Sequence, residues 1–219
     1  MKNNYSFVKH GKTKFNEEGI FMGTLDIPLS QNGVQQALAL GTTFDPHSFD
    51  VVYSSPLLRA YHTGIISLGM AKPILSEYED SSKESYVLIY PDRYVSPKGK
   101  LFIVDPMLAE RNFGNLQGHP RKDYTEKFLE YKGRDVLKSF NDRPTEGENF
   151  ADLELKLRHF FNEVESQYEN KNILVFSHNG PIRIARKYFE GLSEEETLKI
   201  SNPHCELIQF EDRRKKWQI

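Results

Sequence analysis

The chain has 219 residues, a length typical of one large domain or of one domain that carries an insertion. Its 29 basic and 31 acidic residues give a net charge of −2, which provides no basic surface for nucleic acid. Mean hydropathy is −0.60, and no apolar run approaches the roughly 18 residues of a membrane span, so a membrane-spanning helix is excluded.

Cellular location is indicated by what the sequence lacks. The chain begins with the polar residues MKNNY, and no apolar signal-peptide core follows them. Cys205 is the single cysteine, which excludes a disulfide within the chain and a cysteine-based zinc site. We therefore expect a cytoplasmic protein.

Short apolar runs indicate buried strands along the chain. They lie at Tyr5–Val8, Val51–Tyr53 and Ile173–Phe176, and a further candidate, nearer a sheet edge, lies at Cys205–Phe210. Continuous apolar runs of this length are typical of strands that are covered on both faces, as in a parallel sheet.

Helical segments alternate with these strands. Ser30 is expected to begin the first helix, and Ser55 to cap the next one with Pro56 at its first position. A longer helix is marked by an apolar stripe of Phe150, Leu153, Leu157, Phe160, Val164 and Tyr168.

Two more helices are predicted near the end of the chain. Pro181 begins one that ends at Gly191, and Ser193 with Glu196 forms the capping box of a short last helix. Strands that alternate with helices favour an α/β fold, a three-layer α/β/α sandwich with a mostly parallel central sheet.

The stretch from Glu77 to Asp105 interrupts this alternation. It contains a polar loop, the apolar run Tyr86–Tyr90, a turn at Pro97–Gly99 and a second apolar run at Leu101–Val104. We expect a hairpin inserted over the carboxyl edge of the sheet, where α/β proteins place their ligands. An ordinary decorated loop is the alternative.

The first strand ends at a histidine. Lys9 precedes His10, Gly11 follows it, and Asn16 lies a short way beyond. A glycine permits close approach of the backbone to a ligand, and backbone amides beyond a strand end can face an anion. Taken alone, the segment also fits a histidine that is packed in the core.

A second segment, SSPLLRAYHT at residues 54–63, places Arg59 in the first turn of a predicted helix. A helix N-terminus attracts anions, and a guanidinium adds two parallel donors for a phosphate. An ion pair between Arg59 and a nearby carboxylate is the alternative.

A third segment places His178 at the end of another buried strand, directly before a helix. Two histidines at strand ends of one parallel sheet can converge in the same crevice, and chance would rarely place two core histidines in this way. Glu110, on a glycine-bounded loop, adds a carboxylate that can donate a proton. The alternative is that Glu110 pairs with Arg111.

In this order and spacing, the segments resemble the histidine phosphatase superfamily, also called phosphoglycerate mutase-like. The family pattern begins RHGxTxxN, against KHGKTKFN at residues 9–16, and residues 23–30 (GTLDIPLS) match its second element. Residues 54–63 match SSPxxRAxxT, and residues 110–118 match the family's glutamate loop. The resemblance implies one domain over residues 1–219, with an insertion at about 77–105.

The resemblance implies a role for each matching residue. His10 would attack phosphorus and form a phosphohistidine, with its other ring nitrogen held by a backbone acceptor. Glu110 would protonate the leaving oxygen and then deprotonate the attacking water. Phosphoryl oxygens would be bound by Lys9, Asn16, Arg59 and His178. His178 would therefore also be catalytic, and no metal is implied because the cationic pocket replaces it.

Two positions depart from the family pattern. Lys9 replaces an arginine, which keeps the positive charge but loses the bidentate fork. Asn179 replaces the glycine that follows the second histidine, either because the position needs an unusual backbone dihedral that asparagine tolerates, or because its amide contacts the substrate. Asn179, Thr24 and Arg111 are possible substrate-binding residues.

Three functions follow from the resemblance. The expected one is metal-independent hydrolysis of a small phosphorylated metabolite through a phosphohistidine, without a cofactor, because the short insertion and the short segment after the last strand resemble the phosphatase branch. One alternative is a phosphoglycerate mutase that depends on 2,3-bisphosphoglycerate. The other is a catalytically weakened module that binds a phosphorylated ligand. The sequence indicates neither the substrate nor the oligomeric state.

Overall fold

The computed structural model describes residues 3–75, 86–89, 102–132 and 134–210. The strands in these ranges are β1 Asn4–Lys9, β2 Val51–Ser54, β3 Lys72–Leu75, β4 Tyr86–Ile89, β5 Phe102–Val104, β6 Asn172–Ser177 and β7 Leu207–Phe210. The α-helices are α1 Lys14–Glu18, α2 Gln31–Leu40, α3 Leu58–Ser67, α4 Tyr124–Lys127, α5 Phe150–Gln167, α6 Asn179–Glu190 and α7 Glu194–Lys199.

Five strands form the central sheet in the order β5-β2-β6-β1-β7. The pairings of β5, β2, β6 and β1 are parallel, and β7 runs antiparallel to β1 at one edge. The predicted mostly parallel sheet, with its last strand at an edge, is therefore confirmed. That strand begins at Leu207 rather than at Cys205, because Cys205 has a left-handed backbone with φ 52° that does not continue a strand.

Hydrophobic residues pack on both faces of this sheet. Tyr5 and Phe7 of β1 join Phe161 of α5 in one core cluster, to which α6 also contributes. Val8, the next residue of β1, joins Ile65 of α3 in a cluster on the opposite face, together with α2. This alternation along one strand gives the predicted three-layer α/β/α sandwich.

Two helices begin at other residues than predicted. Ser55 does not cap α3, since its hydroxyl accepts a bond from Leu57 N at 3.3 Å and the helix begins at Leu58. The Oδ1 of Asp26, from a separate loop, accepts the amide of Leu58 at 2.6 Å instead. Helix α6 begins before Pro181, which is its third residue, where a missing amide proton costs nothing because first-turn amides have no intrahelical partner.

The hairpin predicted in the stretch 77–105 is wrong. Tyr86–Ile89 pairs with Lys72–Leu75 in a separate two-stranded antiparallel sheet. Phe102–Val104 pairs in parallel with β2 and forms the other edge of the main sheet. Because the two runs have a similar pattern of apolar residues, the sequence could not distinguish their partners. The predicted turn at Pro97–Gly99 lies outside the described residues.

The remaining predicted helix boundaries agree with the structure. Ser30 caps α2, Ser193 and Glu196 form the capping box of α7, and Gly191 ends α6 with φ 72°. Within the described ranges, no helix combines the length and the apolar character that crossing a membrane requires.

The N-terminus of α5 provides a test of the fold. The Oδ1 of Asn149 accepts the amide of Asp152 at 2.8 Å, and its Nδ2 donates to Asn141 O at 2.6 Å. We expect Asn149→Ala to lower the free energy of unfolding by about 1–2 kcal/mol, measured by urea denaturation. The control is Asn162→Ala on the exposed face of α5, with a change within about 0.5 kcal/mol. Equal losses in both variants would contradict this account of the cap.

Candidate active site

A cleft of about 590 Å³ lies at the carboxyl ends of the parallel strands. His10 follows β1 directly, and His178 follows β6. Parallel pairing aligns Lys9 with Ser177, and the amide of His10 donates to Ser177 O at 3.0 Å. The two imidazole ring centroids are consequently 5.1 Å apart, as the convergence predicted from the sequence requires.

His10 is 3% exposed, and its ring is oriented by the backbone. Its Nδ1 lies 2.7 Å from Gly11 O, a distance at which Nδ1–H donates to the carbonyl and leaves the Nε2 lone pair available. Burial, followed by the charge of Arg59, holds the pKa of His10 well below its ordinary value. The ring is therefore neutral at pH 7, which is the state that a nucleophile needs.

His178 lies beside His10, but it is fully buried and does not line the cleft. Its Nε2 is 2.8 Å from Ser55 Oγ, which already accepts the amide of Leu57. Donation from the Ser55 hydroxyl to Nε2 corresponds to the tautomer with the ring proton on Nδ1. This Nδ1 is buried as well and has no hydrogen-bond partner in the described part of the chain. The phosphate contact expected of His178 stays a prediction.

Arg59 is a fully buried cation at the start of α3. Its Nη1 donates to Leu25 O and its Nη2 donates to Gly23 O, each at 2.7 Å. Burial lowers its pKa to about 10, against the opposing effects of Glu110 and Asp26. Arg59 is therefore still charged at pH 7, and two backbone carbonyls fix its position in the cleft.

Lys9 also reaches the cleft. Its Nζ donates to Asn202 O at 2.9 Å. Burial is the main reason that its pKa falls to about 8, with Glu110 acting in the opposite direction and Arg121 and Arg183 adding to the fall. The ammonium is mostly charged at pH 7, but it loses its proton within the range in which enzymes are assayed.

Glu110 is the only carboxylate among the described residues that line the cleft. Its Oε1 accepts the amide of Arg111 at 2.9 Å, and its Oε2 accepts the amide of Gly180 at 3.3 Å. A Cβ at position 180 would lie 2.2 Å from Glu110 Oε1, so only glycine leaves room for this carboxylate. Glu110 is thus held beside the first turn of α6.

The carboxylate is surrounded by guanidinium groups. Arg111 is buried, with its guanidinium carbon 4.4 Å from the centroid of Phe150, and Arg183 lies 5.9 Å from the same ring. Burial lowers the pKa of Arg111 to about 10, and it also lowers the pKa of Arg183. Arg111 was expected at the site. Arg121 and Arg183 were not, although Arg183 follows Asn179 by one helical turn, a spacing that places both on the same face.

Of two polar residues that were expected at the site, Asn16 lines the cleft and Thr24 does not. Asn16 lines the cleft, although its Oδ1 accepts the amide of Thr13 at 3.1 Å in the capping box of α1. Thr24 does not line it, because its amide and its hydroxyl both donate to Gln117 Oε1, at 2.7 and 3.0 Å. Gly23 lines the cleft at this point instead.

Asn179 lines the cleft as the first residue of α6. It is not among the described residues with positive φ, so the interpretation that this position needs an unusual backbone dihedral is wrong. Its Oδ1 accepts two bonds from Asn202, one from the backbone N and one from Nδ2, each at 3.1 Å.

His204 is a further histidine at the site that sequence reasoning missed. Its Nδ1 lies 2.6 Å from His10 O, and its ring centroid lies 5.3 Å from that of His10. Burial lowers its pKa to about 4, so the ring is neutral and Nδ1–H donates to the carbonyl. In the sequence, His204 lies directly before the predicted strand Cys205–Phe210, which places it at a strand end. The pairing of β7 with β1, which brings it to His10, cannot be predicted from the neighbouring residues.

The arrangement combines a neutral nucleophilic nitrogen, fixed cations and one carboxylate in a single cleft. Its cationic lining consists of Lys9, Arg59, Arg111, Arg121, Lys138, Arg183 and Lys199. Such a cleft can bind an anionic group and stabilise the negative charge of phosphoryl transfer. In the described part of the chain, no three His, Cys, Asp or Glu side chains are grouped so that they could hold a metal ion.

Comparison with known proteins identifies the family. The model of the histidine phosphatase superfamily (branch 1) matches residues 6–79 and 94–219, and the chain belongs to this family. The interruption of the match, at residues 80–93, lies within the stretch that sequence analysis describes as inserted.

The similar proteins include a mutase among the sequence relatives and phosphatases among the solved structures. The chain is 28% identical over 214 residues to a 2,3-bisphosphoglycerate-dependent phosphoglycerate mutase of Chlamydia pneumoniae, covering 95% of this chain and 93% of the mutase. The α-ribazole phosphatase of Shigella flexneri has the same fold, with a TM-score of 0.74 and 23% identity over 94% of this chain and 89% of that one. A phosphoserine phosphatase of Entamoeba histolytica, crystallised with 3-phosphoglyceric acid, has a TM-score of 0.70 and 23% identity over 95% and 90%.

The low pKa of Lys9 leads to a prediction about anion binding. Sulfate keeps a double negative charge between pH 7 and 9, whereas the Lys9 ammonium deprotonates near pH 8. We expect the sulfate affinity, measured by calorimetry, to fall roughly fivefold to tenfold across this range, and to become nearly constant in Lys9→Met. The partly exposed Lys14→Met serves as the control and should retain the fall. A flat profile in the unmodified protein would contradict a phosphate-binding role for Lys9.

Proposed function

We propose that the protein hydrolyses phosphomonoesters through a phosphohistidine at His10, without a metal and without a cofactor. The observation that supports this most directly is the position of His10, a neutral ring whose Nδ1 is bound to Gly11 O and whose Nε2 is free to attack. Arg59 and Glu110 line the same cleft. A nucleophile, a cation and a proton carrier are thus within one site.

The reaction has two steps. In the first, the Nε2 lone pair of His10 attacks phosphorus, the ester P–O bond breaks, and Glu110 gives its proton to the leaving oxygen. In the second, Glu110 takes a proton from water, whose oxygen attacks phosphorus, and the P–N bond breaks. Inorganic phosphate leaves, and both His10 and Glu110 return to their initial states.

Charge stabilisation in both steps is assigned to the buried donors. The fixed Arg59 guanidinium and the Nδ1–H of His178 would bind the equatorial oxygens of the transferring group, and the Lys9 ammonium would add a second positive charge. Asn16 would donate from its amide nitrogen. Because these groups are held before the substrate arrives, little reorganisation opposes the transition state.

The lining indicates the class of substrate. A cleft of about 590 Å³ accommodates a small metabolite. Beyond the reacting phosphate, Arg111, Arg121 and Arg183 line the same cleft, which favours a phosphomonoester with a second anionic group, such as a carboxylate. We also expect the protein to act in the cytoplasm, on metabolites of this kind.

Hydrolysis, rather than transfer to a second substrate, requires that water reaches the phosphohistidine. The cleft that contains His10 is also lined by the exposed residues Arg121, Lys138 and Lys199, so it is continuous with solvent. This continuity favours a phosphatase.

A phosphoglycerate mutase is the second candidate, and the Chlamydia relatives favour it. Their names describe dependence on 2,3-bisphosphoglycerate, and the arginines at positions 111, 121 and 183 fit the second phosphate of such a molecule. In that case, 2,3-bisphosphoglycerate would supply the phosphoryl group on the histidine, and this chain would act on phosphoglycerates.

The central prediction concerns the nucleophile. We expect His10→Ala to remove hydrolysis of an aryl phosphate, measured as phosphate release in the presence of a metal chelator, and to remove the acid-labile phosphoenzyme that rapid quenching traps. His159→Ala, on the exposed face of α5, should retain both signals. Normal turnover by His10→Ala would exclude the phosphohistidine mechanism.

Two assays separate the candidate functions. Conversion of 3-phosphoglycerate to 2-phosphoglycerate, only when bisphosphoglycerate is present, would identify a mutase and contradict the phosphatase proposal. Binding of vanadate with neither hydrolysis nor isomerisation would identify the catalytically weakened module.

Glu110→Gln tests the proton donor. An alkyl leaving group needs protonation, whereas a nitrophenolate leaves unprotonated, so we expect a loss of roughly 10²–10⁴-fold with an alkyl phosphate and a much smaller loss in the first turnover of nitrophenyl phosphate. The phosphoenzyme should then accumulate, because Glu110 is also the base of the second step. Equal losses with both substrates would exclude Glu110 as the general acid.

A further inference from the structure

The loop 201–205 contacts both segments that carry the histidines. On the side of β1, its residue His204 donates to His10 O at 2.6 Å, and the amide of Cys205 donates to Lys9 O at 2.9 Å. The carbonyls of Lys9 and His10, at the end of β1, are therefore both held by this loop. The backbone amide of His10 donates to Ser177 O instead, at the end of β6.

On the side of α6, the same loop is held by Asn179. The Oδ1 of Asn179 accepts both the backbone amide and the side-chain amide of Asn202, and Asn202 is 1% exposed. A glycine at position 179 would supply no acceptor for either group. Because unpaired buried amides are costly, these two bonds fix the loop relative to the start of α6.

Lys9 also binds Asn202 of the loop 201–205. Its Nζ donates to the backbone oxygen of Asn202, whose amide groups are bound by Asn179. Lys9 and Asn179 are the two positions at which the chain departs from the family motifs. The two departures are thus joined through one buried residue, although they are 170 positions apart in the sequence.

We infer that Lys9 and Asn179 are coupled, and that Asn179 is a positioning residue that holds the nucleophile through the loop 201–205. Asn179 fixes Asn202, Asn202 receives the Lys9 ammonium, and His204 of the same loop binds the carbonyl of His10. A planar, longer guanidinium at position 9 would meet Asn202 O in a different geometry, so we expect an arginine there to require a movement of the loop that the Asn179 bonds resist. The inference rests on the proposed phosphotransfer to His10.

A double-mutant cycle with Asn179→Gly and Lys9→Arg tests the coupling. In rapid-quench measurements with nitrophenyl phosphate, we expect each single variant to slow phosphorylation of His10 by roughly fivefold to tenfold. In the Asn179→Gly background, Lys9→Arg should change the rate by less than about twofold, because the loop is already released. An equal effect of Lys9→Arg in both backgrounds would overturn the inference.

The same variants distinguish positioning from substrate binding and from general stability. Asn179→Gly should leave KM within about twofold, whereas a rise in KM with an unchanged rate would show that Asn179 binds substrate and would contradict the inference. The control is Asn32→Gly, an exposed residue in the first turn of α2, which should change neither parameter.

A readout without turnover separates this inference from the proposed function. Ring-nitrogen NMR of histidine-labelled protein reports the bonds from His204 Nδ1 to His10 O and from His10 Nδ1 to Gly11 O. We expect both signals to shift in Asn179→Gly and to remain unchanged in Asn32→Gly. Unchanged signals in Asn179→Gly would overturn the inference even in an active enzyme. An unmodified protein without activity, whose signals shift in Asn179→Gly, would refute the function alone.

Discussion

The parallel pairing of β1 with β6 is the constraint on which the site depends. It fixes the register of Lys9 against Ser177, and the residue after each strand is then a histidine. A shift of one residue in this register would turn buried side chains such as Phe7 toward the opposite layer, so the two cores hold the histidines in place. The distance between the two imidazole rings is therefore a consequence of packing far from the cleft.

Burial has two different consequences within this cleft. For His10 and His178, removal from water lowers the pKa and keeps the rings neutral, so each ring retains one nitrogen lone pair. For Arg59, the same effect lowers the pKa only to about 10, so the guanidinium keeps its charge. One desolvated environment thus contains an uncharged imidazole and a charged guanidinium side by side.

Local signals in the sequence predicted most of the fold and the centre of the site. Strand-end histidines, capping residues such as Ser193 and the apolar stripe of α5 are features of neighbouring residues, and the structure has them where they were expected. The errors arose where a partner is distant in sequence. Asp26 caps α3 in place of Ser55, and Tyr86–Ile89 pairs with β3 rather than with the run that follows it.

The same distinction explains what was missed at the site. His204 and Asn202 contact His10 and Lys9 because β7 lies beside β1, and a single sequence carries no local mark of that antiparallel pairing. The dihedral interpretation of Asn179 failed for a related reason, since its partner lies 23 residues away in another segment.

Because the guanidinium of Arg59 is buried, we expect the free energy of unfolding to depend on the anions dissolved around the protein. Gly23 O and Leu25 O accept from it but carry no net charge, so these two bonds do not offset the whole cost of removing this cation from water. Any oxyanion that enters the cleft offsets that cost only in the folded state, and by mass action it shifts the folding equilibrium toward the native chain. By this reasoning, inorganic phosphate dissolved around the protein acts as a stabilising solute, independently of any reaction in the cleft.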